Sequence, residues 1–392
     1  MKSSAIRTTL LALAFSCGTT LPARAQTPAA PVGAGIEHSI LYQQDGRFAA
    51  WPANGGIWMW NNEILVGFVE AKYAESRGLH TYDQKSARHK YARSFDGGKT
   101  WSIEDAYDAG QKAIAYDHTI DADKAVVAKA LDQPMDFTHP EFVLAFVRLN
   151  NNDDGPSIFY HSNNKGKSWN GPFSFPNLGT AGVATRNDYF VDGKSSLTAL
   201  ITTAKANKQE GRVASVRTID GGMNWQFLSY LGAEHAGFDI MPSSERLSPT
   251  ELYTTIRTRT GTSLDLMTAH LSPDNGVTWQ RMKDPVADTG HGGSPPALLR
   301  LKDGRLALAY AYRSAHGSRM AMRLSSDKGK SWGNEIPLRS GDGANRDVGY
   351  PVMAQRPDGK LILIYYWNNV GQPGAKPFRY IATTVFDPSA WK

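Results

Sequence analysis

Ser94-Phe95-Asp96-Gly97-Gly98-Lys99-Thr100-Trp101 is the first of five copies of one short pattern, and this pattern decides the fold. The other copies occupy residues 162–169, 218–225, 272–279 and 325–332. Each copy begins with Ser or Thr, has Asp or Asn at its third position, continues through Gly and ends on Trp. One copy would be a weak signal, but five at near-regular spacing indicate a repeated structural unit.

The chemistry of the pattern is that of a tight hairpin turn. The Asp96 carboxylate can accept hydrogen bonds from the backbone of its own turn. The glycine supplies a conformation with positive φ. The tryptophan that ends the pattern can bury a large ring between neighbouring units. Each copy therefore predicts a turn that joins two strands and contacts the next unit.

Hairpin signals also precede the patterns and complete each unit. Asn61-Asn62, Asp192-Gly193, Asp303-Gly304 and Asp358-Gly359 each stand before a β-rich run. Such dipeptides are typical of tight turns between antiparallel strands. Each unit is therefore predicted to be a four-stranded sheet, which is the size of a propeller blade.

The two ends of the chain are predicted to close the ring. Five units with the pattern end near residue 335, and the segment Val348–Phe386 adds three strands without it. The run Glu37–Gln43 can supply the fourth strand and so remove an open sheet edge. We predict an all-β, six-bladed propeller over residues 36–392, with seven blades as the alternative because the first interval is longer.

The segment before this domain has the pattern of an export signal. Lys2 and Arg7 precede the short apolar run Thr9–Gly18, and Ala23-Arg24-Ala25 offers a cleavage site. We predict a signal peptide over residues 1–25, followed by a flexible lead-in over residues 26–35. The protein is therefore expected to be secreted, to the periplasm or the medium.

The composition excludes several function classes. Cys17, the only cysteine, lies in the signal, so the mature chain has no disulfide, thiolate nucleophile or cysteine metal site. Removing Lys2, Arg7 and Arg24 lowers the net charge from +6 to +3, and no basic run suggests a nucleic-acid partner. No later segment suits a membrane span. We expect a monomer without cofactor or catalytic metal; a structural Ca²⁺ is not indicated.

The five patterns resemble the Asp-boxes, or BNR repeats, of sialidases over nearly the whole mature chain. The resemblance implies three arginines that hold a carboxylate, an Asp acid/base, and a Tyr nucleophile assisted by a Glu. Arg313, in Tyr310-Ala311-Tyr312-Arg313, matches one family arginine, and Tyr350, in Gly349-Tyr350-Pro351, matches the tyrosine.

Three family positions differ in this chain. Ala50-Trp51-Pro52-Ala53 stands where the first arginine is expected, and no aspartate between Tyr82 and Tyr91 matches the family acid. Ser294-Pro295-Pro296-Ala297 lacks the family glutamate. The departures keep other chemistry open on the same fold.

Propeller topology predicts which residues surround the channel mouth. In each blade the first strand starts, and the second strand ends, on the face opposite the Asp-boxes. First-strand positions carry Trp51, Asn54, His139, Arg186, Tyr189, Asp239, His291, Arg346, Asp347 and Tyr350. Second-strand ends carry Glu70, Lys72, Arg148, Arg257, Arg313 and Trp367. Because guanidinium groups match carboxylate or sulfate geometry, this set predicts an acidic ligand.

Three hypotheses follow. The first is an exo-acting glycoside hydrolase that removes an acidic sugar, sialic-acid-like or a uronate. Arg257 and Arg313, with Arg186 or Arg346, would hold the sugar carboxylate, and Tyr350 would be the nucleophile or charge stabiliser. Asp347 or Glu70 would assist proton transfer. The remaining members of the predicted binding set are Arg148, Tyr189, His291 and Trp51.

The second hypothesis is a lyase that acts on a uronic-acid polymer. Arginine would neutralise the uronate carboxylate, and His139 or Tyr189 would take the neighbouring proton. The third is a glycan-binding propeller without catalysis, for which the arginines and aromatic residues suffice.

Overall fold

The computed structural model describes residues 35–75, 80–107, 127–149, 155–261, 264–315, 317–368 and 378–391. The predicted signal peptide lies outside these residues, as does the predicted lead-in except for Gly35. The described chain forms six antiparallel sheets, and these are the six blades of a β-propeller. The six-bladed all-β prediction is confirmed, and the seven-bladed alternative is wrong.

The strands follow one another blade by blade along the chain. Strand β1 (Glu37–Tyr42) comes first, and blade 1 then contains β2 (Arg47–Ala50), the short helix α1 (Pro52–Gly55), β3 (Ile57–Trp60), β4 (Glu63–Lys72), β5 (Arg88–Ser94) and β6 (Ser102–Asp105). Blade 2 contains β7 (Val143–Arg148), β8 (Ser157–Ser162) and β9 (Asn170–Phe175). Blade 3 contains β10 (Val183–Ala184), β11 (Tyr189–Val191), β12 (Leu197–Ala204), β13 (Gly211–Thr218) and β14 (Gln226–Tyr230).

The last three blades have four strands each, and the fourth strand of blade 6 is β1. Blade 4 contains β15 (Gly237–Arg246), β16 (Leu252–Thr260), β17 (Leu264–Ser272) and β18 (Gln280–Val286). Blade 5 contains β19 (Ala297–Arg300), β20 (Leu306–Tyr312), β21 (Arg319–Ser325) and β22 (Ile336–Ser340). Blade 6 contains β23 (Gly349–Gln355), β24 (Leu361–Trp367) and β25 (Tyr380–Phe386), and 3-10 turns lie at Gln84–Ser86 and Pro388–Ala390.

Strand β1 closes the ring as the outermost strand of blade 6. It runs antiparallel to β25, with Glu37 opposite Val385 and Ile40 opposite Ala382. The predicted closure of the last blade by the N-terminal run is therefore present. Pairing β1 with β25 satisfies an edge that would otherwise expose unpaired backbone groups.

The Asp-boxes are the turns between the third and fourth strands, and their hydrogen bonds explain their composition. Asp96 Oδ1 accepts from the backbone N–H groups of Lys99 and Thr100, both at 2.9 Å. The Thr100 hydroxyl donates to Asp96 Oδ2 at 2.6 Å, and Gly98 N donates to Ser94 Oγ at 2.8 Å. These contacts, led by the Thr100 hydroxyl, hold the pKa of the Asp96 carboxyl well below its ordinary value.

Each blade packs against the next through buried side chains and box residues. Phe68 of blade 1 and Ile364 of blade 6 belong to one buried apolar cluster. The box tryptophan Trp169 stacks on Tyr91 of blade 1, with ring centroids 5.4 Å apart. Such burial supplies the main stabilisation of a fold that has no disulfide among its described residues. No helix in the described ranges has the length and apolar character needed to cross a membrane.

Candidate active site

Three inner strands break at the channel mouth, and each break is a residue followed by proline. Trp51, Met241 and Tyr350 adopt left-handed φ values of 63°, 56° and 52°. The registers of β15 and β23 shift at the second and third of these points. Strand breaks re-aim side chains, and non-glycine residues in this conformation cluster at functional sites. The break at Tyr350 therefore changes the direction in which this side chain leaves its strand, at the point where a functional residue is expected.

Tyr350 lies among four arginines, and we call Tyr350 with Arg148, Arg186, Arg257 and Arg313 the arginine–tyrosine cluster. Arg257 Nη1 donates to the Tyr350 hydroxyl at 3.2 Å, and the Arg313 guanidinium carbon lies 5.3 Å from the Tyr350 ring centroid. Burial raises the pKa of Tyr350, but the four positive charges outweigh burial and lower it below its ordinary value. The cluster therefore favours the phenolate.

Two of these arginines are fixed by the fold. Arg313 is 4% exposed; its Nε donates to the Val348 carbonyl at 2.8 Å and its Nη2 donates to the Tyr366 hydroxyl at 2.6 Å. Arg257 is half-buried, and its Nη2 donates to the Gly292 carbonyl. Rigid, partly desolvated guanidinium groups of this kind bind anions well because little side-chain entropy remains to be lost.

Arg186 approaches the segment where the family's first arginine is absent. Its Nε donates to Asn54 Oδ1 at 3.0 Å, and Asn54 belongs to α1, next to Trp51. Arg186 and Arg148 also line a small cavity together with Asn54 and His89. An arginine of blade 3 therefore brings a positive charge to the position that blade 1 leaves neutral.

Asp347 is a fully buried carboxylate beside the cluster. Its Oδ1 accepts from the Tyr366 hydroxyl at 2.7 Å and lies 2.9 Å from His80 Nδ1, and its Oδ2 accepts from Arg379 Nε at 2.9 Å. Burial raises its pKa, but His80, Arg379 and Arg313 together lower it to about 2. The prediction that Asp347 carries a proton to substrate is therefore wrong, because its side chain has no exposed surface and stays ionised.

Other predicted residues lie around the same mouth. Trp51 is buried, with its ring 5.1 Å from that of His80 and 6.3 Å from that of Tyr366. His291 is exposed, and its backbone N–H donates to the Arg313 carbonyl at 2.8 Å. Arg346 is half-buried, directly before Asp347 in the chain. These placements put Trp51 behind the site and His291 at its rim.

Glu70 and His139 do not join the cluster. Glu70 pairs with Arg47 and accepts from the Tyr42 hydroxyl at 3.4 Å, so its side chain faces the outermost strand of blade 6. His139 lies on the Asp-box face: it stands two residues before Glu141, whose carbonyl accepts from the box residue Lys165. The predicted positions of both residues at the mouth are wrong, because Glu70 points outward and the described part of blade 2 has no strand at His139.

Tyr189 is engaged in packing between blades. Its hydroxyl accepts from Trp58 Nε1 at 3.0 Å and from the Leu144 N–H at 3.3 Å. Burial raises the pKa of this phenol, which disfavours a role as a base. The prediction of Tyr189 as a proton acceptor is therefore contradicted by its surroundings.

A channel cavity of about 280 Å³ extends between the inner strands. Its lining includes Arg186, Met241, Pro351, Asp188 and Glu245. Burial raises the pKa values of both carboxyls to about 7. Asp188 accepts from the backbone N–H and the hydroxyl of Ser244, at 3.1 and 2.8 Å. The lining of the channel cavity therefore contains carboxyl groups as well as Arg186, whereas the charged residues of the arginine–tyrosine cluster are all arginines.

Sequence reasoning missed His80, Tyr366 and Arg379, which surround Asp347. His80 lies in the connection between β4 and β5, and Arg379 directly precedes β25. Tyr366 is inside β24, where a strand pattern alone predicts core packing. The isolated bridge between Tyr73 and Tyr82, on either side of His80, is visible only in the structure, so no sequence pattern could have singled out His80.

The site contains charges and a tyrosine but no group of metal ligands. Within the described ranges, no cluster of three or more His, Cys, Asp or Glu side chains is placed to hold a metal ion. What the arrangement offers is a fixed set of guanidinium donors for an anion and an activated phenol beside them.

The comparisons with known proteins agree with this fold. A family model described as a BNR repeat-like domain matches residues 92–363. No curated protein matches the sequence. A protein of unknown function from Dyadobacter fermentans superimposes with a TM-score of 0.66 at 19% identity, covering 90% of this chain and 99% of that one.

Two enzymes of known class also share the fold. The NanB sialidase of Streptococcus pneumoniae superimposes with a TM-score of 0.54 at 13% identity, covering 90% of this chain and 71% of that one. The alpha-L-arabinofuranosidase Arb93A of Fusarium graminearum gives 0.53 at 14% identity, covering 88% and 97%. At these identities the likeness concerns the fold, and the site has to be argued from its own residues.

Proposed function

The chain belongs to the family of BNR repeat-like domains, and we propose that it is an exo-acting glycoside hydrolase that removes an acidic sugar from glycans. The observation that carries the proposal is the arginine–tyrosine cluster, where Arg257 donates to Tyr350 and Arg313 lies against the Tyr350 ring. The sugar would carry a carboxylate, as a sialic acid or a uronic acid does.

The arginines would bind the carboxylate and fix the sugar ring. Arg257 and Arg313 approach Tyr350 from blades 4 and 5, while Arg186 reaches the same region from blade 3. Charge-assisted hydrogen bonds from such donors are about twice as strong as neutral ones. Neutral sugars would lose these bonds and leave the buried guanidinium groups without an anion.

Tyr350 would act as the nucleophile. The same positive charges that attract the carboxylate favour the phenolate of Tyr350. Attack on the anomeric carbon would form a glycosyl–tyrosine intermediate, which water then hydrolyses. Binding and activation would therefore depend on one set of arginines.

The lyase hypothesis loses the residues assigned to it. His139 lies on the Asp-box face, and the Tyr189 hydroxyl accepts two hydrogen bonds in an interface between blades. A propeller that only binds glycans would not need a phenol with a lowered pKa. Hydrolysis therefore has the better support of the three.

The test is a panel of nitrophenyl glycosides that includes a sialoside, a glucuronide, a galacturonide and the neutral arabinofuranoside. We expect release from an acidic member, and a loss of at least about 10³-fold in kcat for Tyr350→Phe. Tyr230→Phe is the matched control, since Tyr230 lies under Arg212 on the outer strand of blade 3. Release from the arabinofuranoside alone would contradict the acidic-sugar proposal.

Uronic-acid polymers followed by ultraviolet absorbance complete the panel. Rising absorbance without glycoside release would replace hydrolysis with elimination. Binding without either signal would leave a glycan-binding propeller. The proposed place of action is outside the cytoplasm, and an exported protein that begins at Gln26 would support the predicted cleavage after Ala25.

A further inference from the structure

We propose that His80 is the catalytic acid and base of this site and that buried Asp347 orients its imidazole. The inference rests on the proposed hydrolase function. It assigns a residue to the acid/base role, for which the family resemblance found no match in this chain. His80 is placed for this task by the Asp347 carboxylate beside it, by its exposure and by its link to Tyr350.

The carboxylate partner determines which nitrogen of His80 faces the substrate. His80 Nδ1 lies 2.9 Å from Asp347 Oδ1, and the same carboxylate accepts from Tyr366 and Arg379. Because an ionised carboxylate only accepts hydrogen bonds, its proximity favours the imidazole form that carries a proton on Nδ1. Nε2, on the other side of the ring, is then the atom that can give or take a proton.

His80 is accessible although its partner is not. The His80 side chain is 37% exposed, whereas that of Asp347 is 0% exposed. The imidazole stands edge-on to Trp51, with ring centroids 5.1 Å apart, and Phe48 lies 6.5 Å away. Two aromatic rings therefore restrict the imidazole while leaving part of it open to a ligand.

Tyr366 connects His80 to the arginine–tyrosine cluster. Its hydroxyl donates to Asp347 and accepts from Arg313, and its ring lies 5.9 Å from that of Tyr350. His80 and Tyr350 are thus attached to one buried network from two sides. A sugar held by Arg313 would lie beside both residues.

Three other carboxylates have partners of their own. Asp265 accepts two hydrogen bonds from Arg259, one from Nε and one from Nη2. Asp239 accepts from the Thr258 hydroxyl and lies 2.9 Å from His235 Nε2. Glu70 faces the outer strand β1. Their engagement leaves the oriented imidazole as the better placed proton carrier.

Hydrolysis would proceed in two half-reactions that exchange one proton at His80. The Tyr350 oxygen forms a bond to the anomeric carbon while the bond to the leaving oxygen breaks, and protonated His80 transfers its Nε2 proton to that oxygen. In the second half, water attacks the anomeric carbon, Nε2 takes a proton from the water, and Tyr350 leaves as phenolate. No oxidant, reductant or metal is required.

The test compares two substrates that carry the same acidic sugar. In one the leaving group is a nitrophenol, and in the other it is a second sugar that leaves through its hydroxyl oxygen. A nitrophenolate leaves without protonation, whereas a sugar alkoxide requires it. For His80→Ala and His80→Gln we expect kcat/KM on the sugar substrate to fall by about 10²–10⁴-fold. The nitrophenyl substrate should be hydrolysed with nearly the wild-type kcat/KM.

His38→Gln is the matched control, because His38 is exposed on the outermost strand β1. Circular dichroism of each variant checks folding. Equal losses on both substrates, or no loss on either, would overturn the role of His80 while leaving hydrolysis intact. A wild-type protein that hydrolyses neither substrate would overturn the proposed function and the role of His80 with it.

Discussion

Asp347→Asn tests whether the buried network beneath the site depends on a charge. Asp347 accepts from Tyr366 and Arg379 and lies against His80, and its side chain is entirely buried. Asparagine has the same shape but cannot balance Arg379. Removing one partner of a buried ion pair leaves an uncompensated charge, which typically costs about 3–5 kcal/mol.

The pKa of Asp347 gives a second measure of the same interaction. Its folded-state pKa is about 2, against an ordinary value of 3.8. The difference corresponds to about 2 kcal/mol of stability at neutral pH. We therefore expect Asp347→Asn to lower the free energy of unfolding by about 2–5 kcal/mol at pH 7.

The pH dependence has a definite sign. Because folding lowers the pKa of Asp347, its contribution is fully present above the unfolded value of 3.8 and is lost as the pH falls through about 2. About half of it should remain at pH 3. The difference between wild type and Asp347→Asn should therefore shrink as the solution is acidified.

Urea unfolding at pH 7 and pH 3, followed by tryptophan fluorescence, measures both quantities. Asp342→Asn is the matched control, because Asp342 pairs with Arg339 but its side chain is 46% exposed. Its expected cost is below about 1 kcal/mol. If Asp347→Asn were as stable as the control at pH 7, the buried charge would not stabilise the fold and the reasoning would be refuted.

Two further substitutions test the binding of the anion and the packing of the blades. Arg257→Lys removes the planar guanidinium whose two nitrogens reach Tyr350 and Gly292, so KM for an acidic glycoside should rise about 10–100-fold. Arg281→Lys on an outer strand should leave KM unchanged, and equal KM values for the two variants would contradict the role of the arginine–tyrosine cluster in binding the carboxylate. Gly329→Ala places a methyl group 2.3 Å from the Tyr253 ring at a φ of 80°, whereas Gly359→Ala meets nothing within 4 Å at a φ of 87°. In chemical denaturation, Gly359→Ala should lower the free energy of unfolding by about 1–2 kcal/mol, and Gly329→Ala should lower it by about 1–3 kcal/mol more. Equal losses for the two variants would exclude the clash with Tyr253 as the cause.

The repeats made the fold predictable, because each box specifies its own turn. The Asp and Gly of the pattern act within a few residues, so their hydrogen bonds follow from the local sequence. The closing strand was also predictable, since blade 6 lacked one strand and a β-rich run preceded blade 1. Local patterns thus determined the blade count and the ring closure.

The site was only partly predictable. The position of a strand end in the sequence does not determine where a side chain points or which path a loop takes. Glu70 stands near the end of its strand as expected, yet its side chain faces β1. His80 comes from a loop without periodic pattern, and only the tertiary fold brings it to Asp347. Arg313 and Tyr350 were singled out by the resemblance to sialidases, the structure brings them together, and their roles stay predictions.

The pairing of β1 with β25 has a consequence for how the protein reaches its folded state. Residues that contact one another across this pair, such as His38 and Thr384, are 346 positions apart in the chain. The ring cannot close until the last strand has been synthesised, and contacts at such separation slow folding. Blade 6 would therefore be the last to assemble, and the ring would stay open until β25 has formed.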